Sequence, residues 1–171
     1  MKTTRLPYLF FLLALILAAC GGNSAPESTT ATADEGTPAP SDGGTTATEI
    51  VIRPVGNELR FEQTAISVEA GQQVTLVLEN VADSPAMIHN IVVLNSNEDD
   101  VVNRVGMTSV TAGEANNFVP DDEAVLASTP LARPGETVRV TFTAPSEPGN
   151  YRYICTYIGH YVAMQGTMAV S

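Results

Sequence analysis

Short runs of alternating apolar and polar residues, broken by turn formers about every ten positions, dominate the chain from residue 50 onward. In Gln73–Glu79, Val74, Leu76 and Leu78 fall on one side of an extended strand; Thr75, Val77 and Glu79 fall on the other. Comparable runs cover Glu58–Gln63, Ala65–Glu69, His89–Leu94, Thr137–Ala144, Asn150–Thr156 and Gly166–Val170. Between them stand Ala70-Gly71, Asp83-Ser84-Pro85, Arg133-Pro134-Gly135 and Glu147-Pro148-Gly149, which supply the dihedral angles of turns. Seven or eight strands in about 120 residues predict an all-β fold, an antiparallel two-sheet sandwich. One stretch breaks the rhythm. Asn97-Glu98-Asp99-Asp100 ahead of Val101, Val102 and Val105 predicts a short, capped helix with acids in its first turn, inside a long insertion reaching Pro130. A domain of this size holds enough core to fold without help from a metal.

The first 49 residues follow other rules. Lys2 and Arg5 precede Leu6–Ala18, an almost unbroken apolar run shorter than the roughly 20 residues that a membrane span needs. The run ends in Leu17-Ala18-Ala19-Cys20-Gly21, which resembles the bacterial lipobox, whose cysteine is lipidated and becomes the mature N-terminus. Residues 1–19 are therefore expected to be a signal peptide, and Cys20 the lipidation site of an exported protein held on the outer, periplasmic face of the cell membrane. Residues 21–49 are rich in Gly, Ser, Thr, Ala, Pro and acids and lack apolar periodicity, the composition of a disordered tether. The folded domain is placed at 50–171.

Loss of residues 1–19 removes two bases and no acid, so the formal net charge moves from −11 to −13. Such a surface repels nucleic acid and anionic lipid, which excludes nucleic-acid binding and suits cationic protein partners.

The chain has two cysteines, Cys20 and Cys155. With the first assigned to the lipid, the second has no disulfide partner in an exported protein. Near the C-terminus the order Cys155-Thr156-Tyr157-Ile158-Gly159-His160-Tyr161-Val162-Ala163-Met164 spaces a thiol, an imidazole and a thioether so that a folded-back loop can bring them together. Gly159 permits the tight bend. The only other histidine, His89, starts a β-rich run far upstream. One thiolate, two imidazoles and a weak axial thioether form the ligand set of blue-copper electron-transfer sites. Soft sulfur suits Cu(I) and imidazole suits Cu(II), so one compact set serves both oxidation states of a single copper ion with little rearrangement.

The Cys-x4-His-x3-Met loop resembles that of the azurin-type cupredoxins, and the lipobox with its polar tether resembles the auracyanins, membrane-associated blue copper proteins. Met87-Ile88-His89-Asn90 is similar to the azurin segment around its first histidine. Val101–Met107 resembles the flap helix, Val125–Thr129 to Phe142 the strands that follow, and Gly166–Val170 the last strand. The resemblance implies a Greek-key cupredoxin sandwich and an electron carrier rather than an enzyme. It further implies His89, Cys155 and His160 as equatorial ligands, Met164 as axial ligand, and the carbonyl of Ile88 on the opposite axial side, where azurins have glycine. Asn90 would tie the first-histidine segment to Thr156, and the backbone amides of Asn90 and Tyr157 would donate to the thiolate. Met87, Tyr157, Ile158, Tyr161 and Val162 would form an apolar rim around His160 for transient docking of redox protein partners, the carrier itself being a monomer. Three features depart from azurins: no N-terminal disulfide is possible, Ile158 stands where proline is common, and Ile91 replaces a buried tryptophan.

Rival functions make different demands. A copper storage or delivery protein would present exposed clusters of Met or His, and this chain has five Met and two His without a cluster. A multicopper enzyme would need further histidines. A metal-free module on the same fold would have no use for the full ligand set.

Overall fold

The computed structural model describes residues 47–171. Cys20, the signal peptide and the expected tether up to residue 46 lie outside them. Eight strands and one α-helix follow in order: β1 (Thr48–Ile52), β2 (Ala65–Val68), β3 (Gln73–Glu79), β4 (Val92–Leu94), α1 (Asp99–Ala112), β5 (Val125–Ser128), β6 (Thr137–Thr143), β7 (Gly149–Ile154) and β8 (Gln165–Val170). They form a three-stranded sheet, β1-β3-β6, and a five-stranded sheet, β2-β8-β7-β4-β5. The all-β sandwich with one helix is as expected, but the sheets are mixed rather than antiparallel. β1 runs parallel to β3, and β2 parallel to β8. The cause is connectivity: the chain crosses to the other sheet between β1 and β3 and so returns in its original direction.

The alternation in β3 does what it predicts. Val74, Leu76 and Leu78 are fully buried and meet Ile66, Val68, Met168, Val170, Tyr153 and Cys155 from the other sheet in one core. A second, smaller core lies on the far face of the five-stranded sheet, where Val92, Leu94 and Ile154 meet Val102 and Val105 of α1. Successive residues of β7 therefore serve different layers: Tyr153 and Cys155 point into the sandwich, Ile154 toward the helix.

Several expected boundaries are corrected. Glu58–Gln63 is not a strand; only Phe61 is buried there, in an isolated bridge to Pro54, while Leu59 is exposed. Its alternation of charged and apolar residues mimics a strand without a partner for one. The strand found instead is β1, which begins at Thr48, two residues inside the stretch assigned to the tether. The His89–Leu94 run narrows to Val92–Leu94, with His89 held by a separate bridge to Ala132. The helix is not short: it spans 14 residues, and its N-cap, Glu98, makes no side-chain capping bond. Buried Val102, Val105, Gly106 and Ser109 carry it past the expected end by packing on the sheet. In the acid clusters Glu98-Asp99-Asp100 and Asp121-Asp122-Glu123, Asp99 pairs with Arg152 at 2.7 Å and Asp122 with Arg104 at 2.6 Å, so each is partly neutralised from within the chain.

Candidate metal centre

Three segments meet at one end of the sandwich. Cys155 follows the last residue of β7, and its N–H donates to the Met164 carbonyl at 3.0 Å, closing the ligand loop at its base. Within the loop, Gly159 adopts the left-handed conformation (φ 79°, ψ −8°) that a side chain rarely permits, and His160–Val162 form a single 3-10 turn. The bend turns His160 back over Cys155, as its spacing requires. His89 arrives from the other side, its N–H donating to Ala132 and its carbonyl accepting from the same residue. Asn80, which sequence reasoning missed, steadies this segment: its buried side-chain amide donates to the carbonyls of Met87 (2.7 Å) and Ala132 (2.9 Å).

The three candidate ligand atoms stand together. Cys155 Sγ lies 3.8 Å from His89 Nδ1 and 3.6 Å from His160 Nδ1, and the two nitrogens are 3.2 Å apart. An ion at the centre of such a triangle would sit about 2 Å from every corner, the length of a first-row metal–imidazole bond. Cys155 and His89 are fully buried, His160 is 7% exposed, and Met164 is fully buried in the same core as Cys155. Three donors thus fit one metal ion, and the Met164 thioether is buried in the same core beside them. His89 Nε2 is buried without a hydrogen-bond partner among the described residues. Its ring is therefore oriented by packing and by the backbone bridge rather than by the usual second-nitrogen contact.

Electrostatics favour a metal over protons. Burial pushes the Cys155 thiol up to about 12, against the opposing pull of backbone N–H donors at Asn90 and Tyr157. Burial, and then the charge of His160, lowers His89 to about 4; burial also lowers His160. The imidazoles are consequently neutral ligands at pH 7, whereas the thiol gives up its proton only to something that repays the charge, as a cation does.

The predicted link between segments is present. Asn90 donates to Thr156 Oγ1 and accepts from the Thr156 N–H, each at 2.8 Å. Its other amide hydrogen goes to the carbonyl of Asn117 at 2.8 Å, a partner the sequence did not reveal. Around the mouth, Ile158 and Val162 are exposed, 53% and 69%, while Met87, Tyr157 and Tyr161 are half-buried. Tyr161 packs against α1, where Gly106 leaves room for its ring.

Residues 48–171 match the family model described as copper binding proteins of the plastocyanin/azurin family. The chain belongs to that family. Its similarity to auracyanin-A of Chloroflexus aurantiacus is 38% identity over 160 residues, 93% of this chain and 91% of the relative. The solved structure of auracyanin A, titled a blue copper protein, superposes with a TM-score of 0.67 at 40% identity, over 73% of this chain and 99% of that one. Azurin iso-2 of Methylomonas is 35% identical over 66% of this chain and 90% of its own length. For a plastocyanin/azurin-type protein, the quartet His89, Cys155, His160 and Met164 is the site of one copper ion.

Proposed function

We propose that the chain is a type 1 (blue) copper electron carrier of the auracyanin kind, lipid-anchored through Cys20 and shuttling single electrons between redox complexes on the outer face of the cell membrane. The observation that carries the reading is the buried triangle of Cys155 Sγ and the two histidine Nδ1 atoms, already sized for one ion. A bound copper supplies the one-electron couple. His89, Cys155 and His160 would hold it, with Met164 and the Ile88 carbonyl as the expected further donors, and the packed sandwich would limit rearrangement of these residues between the two oxidation states. The electron leaves by His160, the ligand nearest solvent, through the rim carrying Ile158 and Val162. An apolar rim supports brief, small-area encounters. The lipobox and the polar stretch after Cys20 support the anchor and an exported location.

Cu(II) added to the purified protein is expected to give an intense thiolate-to-copper band and a narrow EPR hyperfine splitting. A colourless complex, or slow electron self-exchange, would turn the assignment toward copper storage. Labelling with a radioactive fatty acid in cells tests the anchor: wild type incorporates it, Cys20→Ala does not.

A further inference from the structure

Among the described residues, two non-glycine positions have positive φ, and they are adjacent: Asn117 (φ 54°) and Phe118 (φ 55°). Asparagine tolerates this conformation; a bulky phenylalanine rarely does. Backbone in such a state persists only where the surroundings over-determine it, and these surroundings lead to the metal site. From the insertion side, the Asn117 N–H donates to Glu114 and the Phe118 N–H to Gly113, at 2.8 and 2.9 Å. Asn117 Oδ1 accepts from the Leu131 N–H at 3.1 Å. From the site side, the Asn117 carbonyl receives the Asn90 amide, whose remaining groups are spent on Thr156. Phe118, 8% exposed, meets Tyr157 edge-on at 5.2 Å, and Tyr157 meets the His160 ring at 5.1 Å.

We propose that Asn117 and Phe118 are positioning residues for the copper centre, a left-handed clamp through which the insertion fixes the ligand loop. Asn117 acts on the thiolate end: with its carbonyl as the third partner, Asn90 has one orientation, in which it holds Thr156 and aims its own backbone N–H at the Cys155 sulfur. Phe118 acts on the imidazole end by fixing Tyr157, against which the His160 ring rests. The left-handed turn is what lets one carbonyl and the next ring point to the two ends at once. The loop between His89 and the C-terminal ligands is then a part of the site and not a decoration of it. This inference rests on the copper reading above.

The test compares Asn117→Gly, Asn117→Val and Phe118→Ala with wild type, each as the full copper-loaded protein and each again metal-free. Glycine accepts positive φ and keeps the carbonyl, so Asn117→Gly should retain the wild-type spectrum. Asn117→Val, which disfavours positive φ, should shift the ratio of the copper charge-transfer bands and lower copper affinity or self-exchange about tenfold, the size of effect usual for outer partners of a metal site. Phe118→Ala should do so with a smaller change at the thiolate band. In the metal-free protein the Thr156 amide should exchange with solvent faster in Asn117→Val alone, while far-UV circular dichroism stays unchanged. Equal damage from Asn117→Gly and Asn117→Val overturns the clamp, as does a wild-type spectrum in both Asn117→Val and Phe118→Ala. If Asn117→Val does not fold, Phe118→Ala and Asn117→Gly still decide. A wild-type protein that never turns blue sinks the copper reading instead, which separates the two failures.

Discussion

The two sheets of the sandwich are built from similar residues but live in different surroundings. At β4 and the end of β7 the five-stranded sheet is covered on both faces: Val92, Val93 and Leu94 are all buried, because one face meets the sandwich core and the other meets α1. The three-stranded sheet is covered on one. Along β6 the pattern alternates half-buried Val138, Val140 and Phe142 with exposed Thr137, Arg139, Thr141 and Thr143. The thiol grows from the end of the doubly covered sheet. A redox site needs ligands that hold still, and a strand packed from both sides has fewer ways to move than one with a face in water. The three-stranded sheet contributes mainly stability, with Asn80 after β3 steadying the His89 segment; the five-stranded sheet and its helix contribute stability and hold the ligand loop.

That division can be broken by experiment. Replacing Cys155 by Ala removes the thiolate at the tip of the doubly covered sheet and is expected to abolish the visible copper band while the circular dichroism of the fold persists; surviving colour would refute the assignment. Leu76→Ala, in the middle of β3, should lower unfolding free energy by about 2–5 kcal/mol in denaturant titrations yet leave the copper spectrum of the folded fraction as it was. A shifted spectrum would show that the singly covered sheet also tunes the site. Gly106→Ala is the matching probe of the helix side. Its new Cβ would lie 2.2 Å from the Tyr161 ring, beside ligand His160. The expected cost is about 1–3 kcal/mol, with a spectral change that Leu76→Ala lacks.

The smallest effect concerns protons. In the metal-free protein His89 titrates near 4 instead of 6.5, and His160 is lowered too. Between those values the unfolded chain binds more protons than the folded one, so stability rises with pH from 4 to 6.5 and is lost as pH falls through that window. Copper binding at pH 7–8 should release one proton, from the Cys155 thiol, and none from the already neutral imidazoles. Calorimetry in buffers of different ionisation enthalpy counts it. Two or more protons would mean that the rings are not neutral in the metal-free site.

Much of this was legible in the chain itself. Cys155, His160 and Met164 are close in sequence, so loop length alone limits where they can go, and the link from Asn90 to Thr156 follows from the segment that the family shares. Non-local contacts were harder. β1 has the sequence Thr-Glu-Ile-Val-Ile at the end of a Thr- and Ala-rich stretch; it becomes a strand by lying parallel to β3, which local pattern does not announce. Glu58–Gln63 shows the converse, alternation without a partner. α1 continues to Ala112 through Gly106, Thr108, Ser109 and Thr111, weak helix formers that the sheet beneath overrides. Asn117 and Phe118 carry no local mark at all: an Asn before a Phe is ordinary until its carbonyl is found on Asn90.

The layering of β7 has a consequence for how such a gene can change length. Tyr153 and Cys155 face one way and Ile154 the other, so parity decides which compartment receives the sulfur. One codon gained or lost between Gly149 and Ile154 would deliver the thiol to the helix side, away from both imidazoles, however conservative the inserted residue. Changes of two codons would keep the parity. In descendants of this chain, indels along that strand must therefore come in pairs.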